Sequence, residues 1–400
     1  MFKRITPILE LVIQMRKALA LLVILLVLST AGCIGTSTSS SSKASVSSPT
    51  SSSAGYITIT DTLGRTVKVP ANVSRIVAVG PGALRILVYL NATDKVVGIE
   101  ELEKRYPYGR PYVLAHLELL NLPVIGPGGP GKLPDMEALV KVHPQVIFWV
   151  FASKETADEV QEKTGIPVVV LSYGTLENFT DETFFKSLLL AGKILGREER
   201  AREIIKFIRE QQAYLENLTK GLESPKVYLG GIGYKGAHGI TSTSVYYTPF
   251  TVLHLDNIAS KLTSTNRHGW IQVDKEWLLK EDPDYIFIDE GGLKIILDDY
   301  RSNPDFYNSL KAVREGNLYG VLPYNFYNTN IGIAIADTYY IGKVIYPERF
   351  KNVNPAEKAD EIFTFLVGKP VYRELAKEFG GFGKINLASG NVTYGLPTNP

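Results

Sequence analysis

The chain has 400 residues, enough for two domains. Its 43 Lys and Arg against 41 Asp and Glu leave a net charge of +2, so no global field draws it to nucleic acid or acidic lipid. One cysteine in the whole chain excludes a disulfide framework and a thiolate metal cluster.

The first element is a secretory signal. Residues 15–35 read MRKALALLVILLVLSTAGCIG, with Arg16 and Lys17 before an unbroken apolar run from Ala18 to Leu28. Ala31 and Gly32 are small residues just before Cys33, so cleavage there would leave a thiol for lipid attachment. The pattern resembles a prokaryotic lipoprotein lipobox, with Thr30 where Leu or Val is usual. An uncleaved anchor or a plain signal peptide are the alternatives. Residues 1–32 are thus read as signal, with Met15 as the true start. Residues 33–55 are read as lipid anchor and tether, because their Ser/Thr-rich run cannot bury enough apolar surface to order itself. The expected location is the extracytoplasmic face of the cell membrane, held by the lipid. Sequons at Asn72, Asn91, Asn178, Asn217 and Asn391 are candidate glycan sites.

YITITDTLGRTVKVP alternates around a Leu-Gly turn and predicts a β-hairpin. RIVAVGPGALRILVYLN predicts a strand, a tight turn and a helix; KVVGIE, QVIFWV and PVVVL predict further strands, with helices at MEALVKVH and TADEVQEKTG. Strands alternating with helices indicate a parallel α/β sheet. From Glu182 to Gly221 the period becomes helical, with one break near Leu195-Gly196. Ala201, Ile204, Ile205, Ile208 and Leu215 then form one apolar stripe. Beyond it the α/β pattern restarts: a strand at KVYLGG, helices at PFTVLHLDNIASKL and KEWLLKED, strands at YIFID and NLYGVL, and two closing helices. The predicted organisation is an N-terminal lobe at 56–180, a linking helix region at 181–222, a C-terminal lobe at 223–385 and a tail at 386–400.

A repeat supports two lobes of one design. DMEALVKVHPQVIF at 135–148 and DKEWLLKEDPDYIF at 274–287 share Asp, Glu, Leu, Lys, Pro, Ile and Phe at one constant offset. The fold class expected is α/β: two Rossmann-like lobes with central parallel sheets, joined by one long helix.

With these elements in order, the sequence resembles the solute-binding proteins of ABC importers for iron-siderophore, haem and cobalamin. The resemblance spans roughly Tyr56 to Gly380 and rests on DTLGRTVKVP, SRIVAVGPGALRIL, ILGREERA, WIQVDKEWLLKEDPDYIF and YPERF. It implies that Glu137 and Glu276, one per lobe, dock onto arginines of a permease dimer served by ATPase subunits. Two carboxylates on equivalent helices suit a two-fold-symmetric partner. As first-turn glutamates they also suit the helix dipole alone.

Gly231-x-Gly233-x-x-Gly236 follows a strand but no helix follows it, so a dinucleotide site is not expected. His116, His143, His238, His254 and His268 show no metal-ligand spacing, and no direct metal site is expected. No nucleophile-His-acid arrangement is recognisable, so the chain is expected not to be an enzyme and to carry no cofactor. What stands out is aromatic density in loops after strands, where open α/β sheets bind ligands. The ligand-binding candidates are Tyr106, Tyr108, Arg110, Trp149, Tyr173, Tyr234, His238, Tyr246, Arg267, Trp270 and Tyr324. Flat rings with a few cations suit a large anionic chelate. The expected cargo is an iron(III) chelate, first a ferric siderophore, with haem or cobalamin as the alternative. A surface enzyme on a bilobal α/β scaffold is the remaining option, and a metal-cluster version of it would need cysteines the chain lacks.

Overall fold

The computed structural model describes residues 55–266 and 269–393. The expectations for Cys33, the signal, the tether, Arg267 and His268 lie outside the described residues, as does the side chain of Asn391.

Tyr56–Thr60 (β1) and Thr66–Pro70 (β2) form the antiparallel hairpin the alternation predicts. Arg65, buried, pairs with Asp61 of the hairpin's own turn at 3.0 Å and ties the hairpin to the first lobe through Asp158 at 2.8 Å. Ile76–Val79 (β3), Val96–Gly98 (β4), Val146–Val150 (β5) and Val168–Leu171 (β6) make a four-stranded parallel sheet, ordered β4-β3-β5-β6. Past the link come Lys226–Gly230 (β7), Ser242–Ser244 (β8), Asp256–Asn257 (β9), Trp270–Gln272 (β10), Tyr285–Asp289 (β11), Leu318–Val321 (β12), Gly383–Asn386 (β13) and Asn391–Thr393 (β14). The second sheet runs β14-β13-β12-β11-β7-β9, with β8 and β10 paired as a separate ribbon. Its parallel part, β9-β7-β11-β12, repeats the strand order of the first sheet. The protein therefore has two α/β lobes of one topology.

The sequence repeat is the matching unit of each lobe. Asp135 and Asp274 cap their helices by accepting from Ala138 N at 3.0 Å and Trp277 N at 2.7 Å. Leu139 and Leu278 are fully buried, as are Ile147, Phe148, Ile286 and Phe287. His143 (φ 46°) and Asp282 (φ 41°) are both left-handed. Each precedes a proline, which disfavours the right-handed region for its neighbour, so the turn closes through the left-handed one.

The link is a helical pair. Asp181 caps Glu182–Leu195, Gly196 (φ 67°) ends it, and the 22-residue helix Glu198–Thr219 follows. At 1.5 Å per residue that helix is about 33 Å long. The stripe Ala201, Ile204, Ile205, Ile208 and Leu215 is buried along it, in one core that continues into both lobes. Helix Pro355–Val367 returns to pack on helices Ala83–Tyr89 and Pro111–Ala115 of the first lobe. Arg200 of the long helix secures this return, donating to Tyr89 O at 3.0 Å and to Phe365 O. No helix among the described residues is long and apolar enough to cross a membrane.

Two expectations change. The helix predicted across PFTVLHLDNIASKL stops after Thr248–Val252. His254 turns left-handed (φ 54°) and the chain extends into β9, completing the edge beside β7. Edge pairing outweighs local helix propensity here. The expected tail also re-enters the fold, since β14 pairs with β13 beyond residue 386.

Candidate functional site

Both parallel sheets end at the seam between the lobes. From the first lobe come the turn Gly80-Pro81-Gly82 after β3, Glu100 after β4 and the Tyr173 loop after β6. Gly80 (φ 86°) lies so close to the next strand that a Cβ there would sit 2.3 Å from Val150 O, so only glycine fits. From the second lobe come the loop after β7, the β8–β10 ribbon and the segment Leu322–Asn330 after β12.

Between them is a void of about 30 Å³, lined by Thr175 and Leu176 of one lobe and by Ile232, Gly233, Tyr234, Tyr246, Thr248, Trp270, Tyr324, Asn325 and Thr329 of the other. Tyr234 and Trp270 stack with centroids 4.5 Å apart and planes 20° from parallel. The indole N–H donates to Ser242 Oγ at 2.8 Å, which fixes the ring on the ribbon. His238 braces this pair, its Nε2 2.8 Å from Tyr234 O and its ring 5.7 Å from that of Trp270. Tyr324 is buried and meets Tyr247 edge-on at 5.3 Å.

The structure thus gathers Tyr234, His238, Tyr246, Trp270 and Tyr324 of the predicted set. It does not gather the other described candidates. Tyr106 and Tyr108 are exposed, and neither lines the void. Arg110, Trp149 and Tyr173, also expected at the ligand, are closed off by protein in this arrangement of the lobes. Trp149 is a residue of β5 and shares the core with Val77, Val79 and Val168. Arg110 is 2% exposed and is committed to Glu103 Oε2 at 2.8 Å, with its guanidinium 4.4 Å from the Tyr327 ring centre. Tyr173 donates to Gly82 O at 2.9 Å. A position after a strand does not separate a side chain aimed at the cleft from one folded back beneath it.

Sequence reasoning missed Arg85, Glu100 and Thr329. A cation within the apolar run of ALRILVYL was the available signal for Arg85. Glu100 is 4% exposed; it accepts from Gly80 N at 3.0 Å and from Tyr327 OH at 2.7 Å. Burial pushes its carboxyl up to about 7. Deeper in the second lobe Asp289, Glu290 and Asp337 are buried, and burial raises all three, Asp289 to about 8. Among the described residues no three His, Cys, Asp or Glu side chains converge on a metal-sized position.

Glu137 and Glu276 are exposed in the first turns of their equivalent helices. Asn72, Asn91 and Asn217 are exposed, whereas the Asn178 side chain accepts from Thr180 N at 2.9 Å.

Comparison with known proteins agrees with this architecture. The molybdate-binding protein MolA of Haemophilus influenzae is 23% identical over 320 residues, covering 74% of this chain and 86% of that one. YvrC of Bacillus subtilis, described as an ABC transporter substrate-binding lipoprotein, is 21% identical over 299 residues, covering 74% and 87%. A periplasmic solute-binding protein from Veillonella parvula superposes with a TM-score of 0.64 at 21% identity, over 80% of this chain and 96% of its own. The periplasmic binding protein model matches residues 76–323, from the first strand of the first sheet to the loop that closes the cleft. The chain is a member of the periplasmic binding protein family.

Proposed function

We propose that this protein is the extracytoplasmic solute-binding component of an ABC importer. It captures a metal chelate, first of all a ferric siderophore, between its lobes and passes it to a permease dimer with ATPase subunits. The observation that carries the ligand class is the ring cluster. Tyr234, Tyr246, Trp270 and Tyr324 arrive from separate segments at one opening between the lobes. Such rings recognise a large, partly apolar surface by stacking, while the chelator supplies the metal's own ligands. The void of about 30 Å³ is roughly a tenth of the space that small-molecule pockets offer, so loading a chelate requires the lobes to part. Glu137 and Glu276 serve docking in this reading, one exposed carboxylate per lobe on helices of one design. Cleavage before Cys33 and lipid attachment would tether the protein at the membrane; mass spectrometry of the mature N-terminus tests this, and an unmodified Cys33 refutes it.

A second reading is favoured by the small void and by the relative that is described as molybdate-binding: a compact oxyanion. One titration separates the two. Tryptophan fluorescence is followed while ferric siderophores, haem, cobalamin, molybdate, and bare iron, zinc and manganese are added. A response to a ferric siderophore that weakens in Trp270→Ala supports the first reading. Haem or cobalamin alone would replace the chelate but keep the role. Molybdate alone would select the second reading, and bare metal alone would overturn both.

A further inference from the structure

The Leu322–Asn330 segment crosses from the second lobe and grips the first. Asn330 makes it a self-contained unit, its side-chain amide donating to Tyr324 O and Phe326 O at 3.1 Å each. Tyr327 (φ 56°) and Asn328 (φ 70°) are both left-handed, a region non-glycine residues rarely occupy. That backbone turns four successive carbonyls toward one point, and Arg85 of the other lobe fills it. Its Nη1 donates to Thr329 O at 2.6 Å. Its Nη2 donates to Tyr327 O and Asn328 O at 3.2 Å each, and to Phe326 O at 3.4 Å. The guanidinium is fully buried, with the Tyr112 and Tyr173 rings 5.0 and 5.7 Å away. No carboxylate bonds to Arg85 among the described residues; backbone carbonyls, ring faces and the Tyr173 hydroxyl, which accepts from Nη1 at 3.3 Å, hold its charge. Two further side chains follow the same line. Tyr327 OH bridges Glu100 at 2.7 Å and Gly129 N at 2.8 Å, and the Asn328 amide donates to Pro81 O at 3.3 Å.

We propose that Arg85 is the clasp of the lobe seam, a positioning residue for solute capture. By gathering the 326–329 carbonyls it holds the lobes together without solute and sets the wall formed by Tyr324, Asn325 and Thr329. A buried cation facing oriented carbonyls is satisfied only when both lobes are in place, so the contact favours the closed pair over the open one. The proposal rests on the seam being the solute cleft, but its test needs no solute.

The full chain carrying Cys33→Ser receives two spin labels, at Glu162→Cys in the first lobe and Asp305→Cys in the second, both exposed positions. Double electron–electron resonance then reads the distance between them in the solute-free protein. The labelled parent should show one narrow distribution. Arg85→Gln should give a longer and broader one, shifted by more than the parent's peak width. Arg85→Lys should fall between, since an ammonium is a point charge without the guanidinium fork. Tyr327→Phe keeps the ring and removes only the hydroxyl bridge; it should broaden the distribution too, and Arg85→Lys decides the matter if Arg85→Gln does not fold. Lower thermal stability with unchanged distances in Arg85→Gln and Tyr327→Phe would make Arg85 a purely structural residue and overturn the clasp. Failure of the chelate titration would leave the clasp standing, and failure of the distance test would leave the solute reading standing.

Discussion

Replacing Glu100 by glutamine should flatten the pH dependence of folding stability. The side chain is 4% exposed, with Oε1 on Gly80 N and Oε2 on the Tyr327 hydroxyl. Burial raises its carboxyl from 4.5 to about 7, despite both hydrogen bonds and the nearby Arg110. At 1.36 kcal/mol per factor of ten in acidity, this is about 3 kcal/mol. The folded value lies above the unfolded one, so the folded state keeps a proton that the unfolded state releases. The corresponding stability is fully present below about pH 4.5 and is lost as the pH rises through about 7. A glutamine amide imitates the protonated acid, with its oxygen accepting from Gly80 N and its N–H donating to the Tyr327 oxygen. Glu100→Gln should therefore match the parent near pH 4.5 and exceed it by up to about 3 kcal/mol near pH 8. Asp289, Glu290 and Asp337 titrate in the same direction but cancel in the difference between the two proteins. Urea unfolding of both across this range, with unchanged m-values, measures the difference. Parallel stability curves through the whole window would refute the assignment of this charge cost to Glu100.

Leu139→Ala and Leu278→Ala should each cost about 2–5 kcal/mol in denaturant unfolding, because both are fully buried at the matching position of the two lobes. Trp149→Ala should cost about 3–5 kcal/mol of stability as a core deletion; a stable variant with only its solute affinity impaired would return this residue to the cleft. Glu137→Lys and Glu276→Lys should each weaken permease docking by about 2–5 kcal/mol and lower transport while leaving solute affinity unchanged. Loss of solute binding in either variant, with docking intact, would refute the docking role.

The amino-acid sequence by itself determined the two lobes, the helical link and their matching unit. Those features are local and periodic. The stripe Ala201 to Leu215 declares a helix, VIFWV declares a buried strand, and Asp135 and Asp274 announce two helix starts of identical design. The constant offset between the repeats survives in the structure down to the left-handed residues His143 and Asp282. Part of the cleft was legible as well, since two of the aromatic candidates, Tyr234 in the loop after β7 and Trp270 at the start of β10, do meet. Tertiary structure alone decided which rings face the cleft. Trp149 and Trp270 are the same residue type near strand ends, yet one is 4% exposed and the other half-buried in the cleft wall. It also decided the seam. Arg85 is paired with carbonyls more than two hundred positions away, and a backbone carbonyl carries no side-chain identity for a sequence to display. Only the left-handed turn at Tyr327 and Asn328, held when the lobes meet, points those carbonyls at one cation.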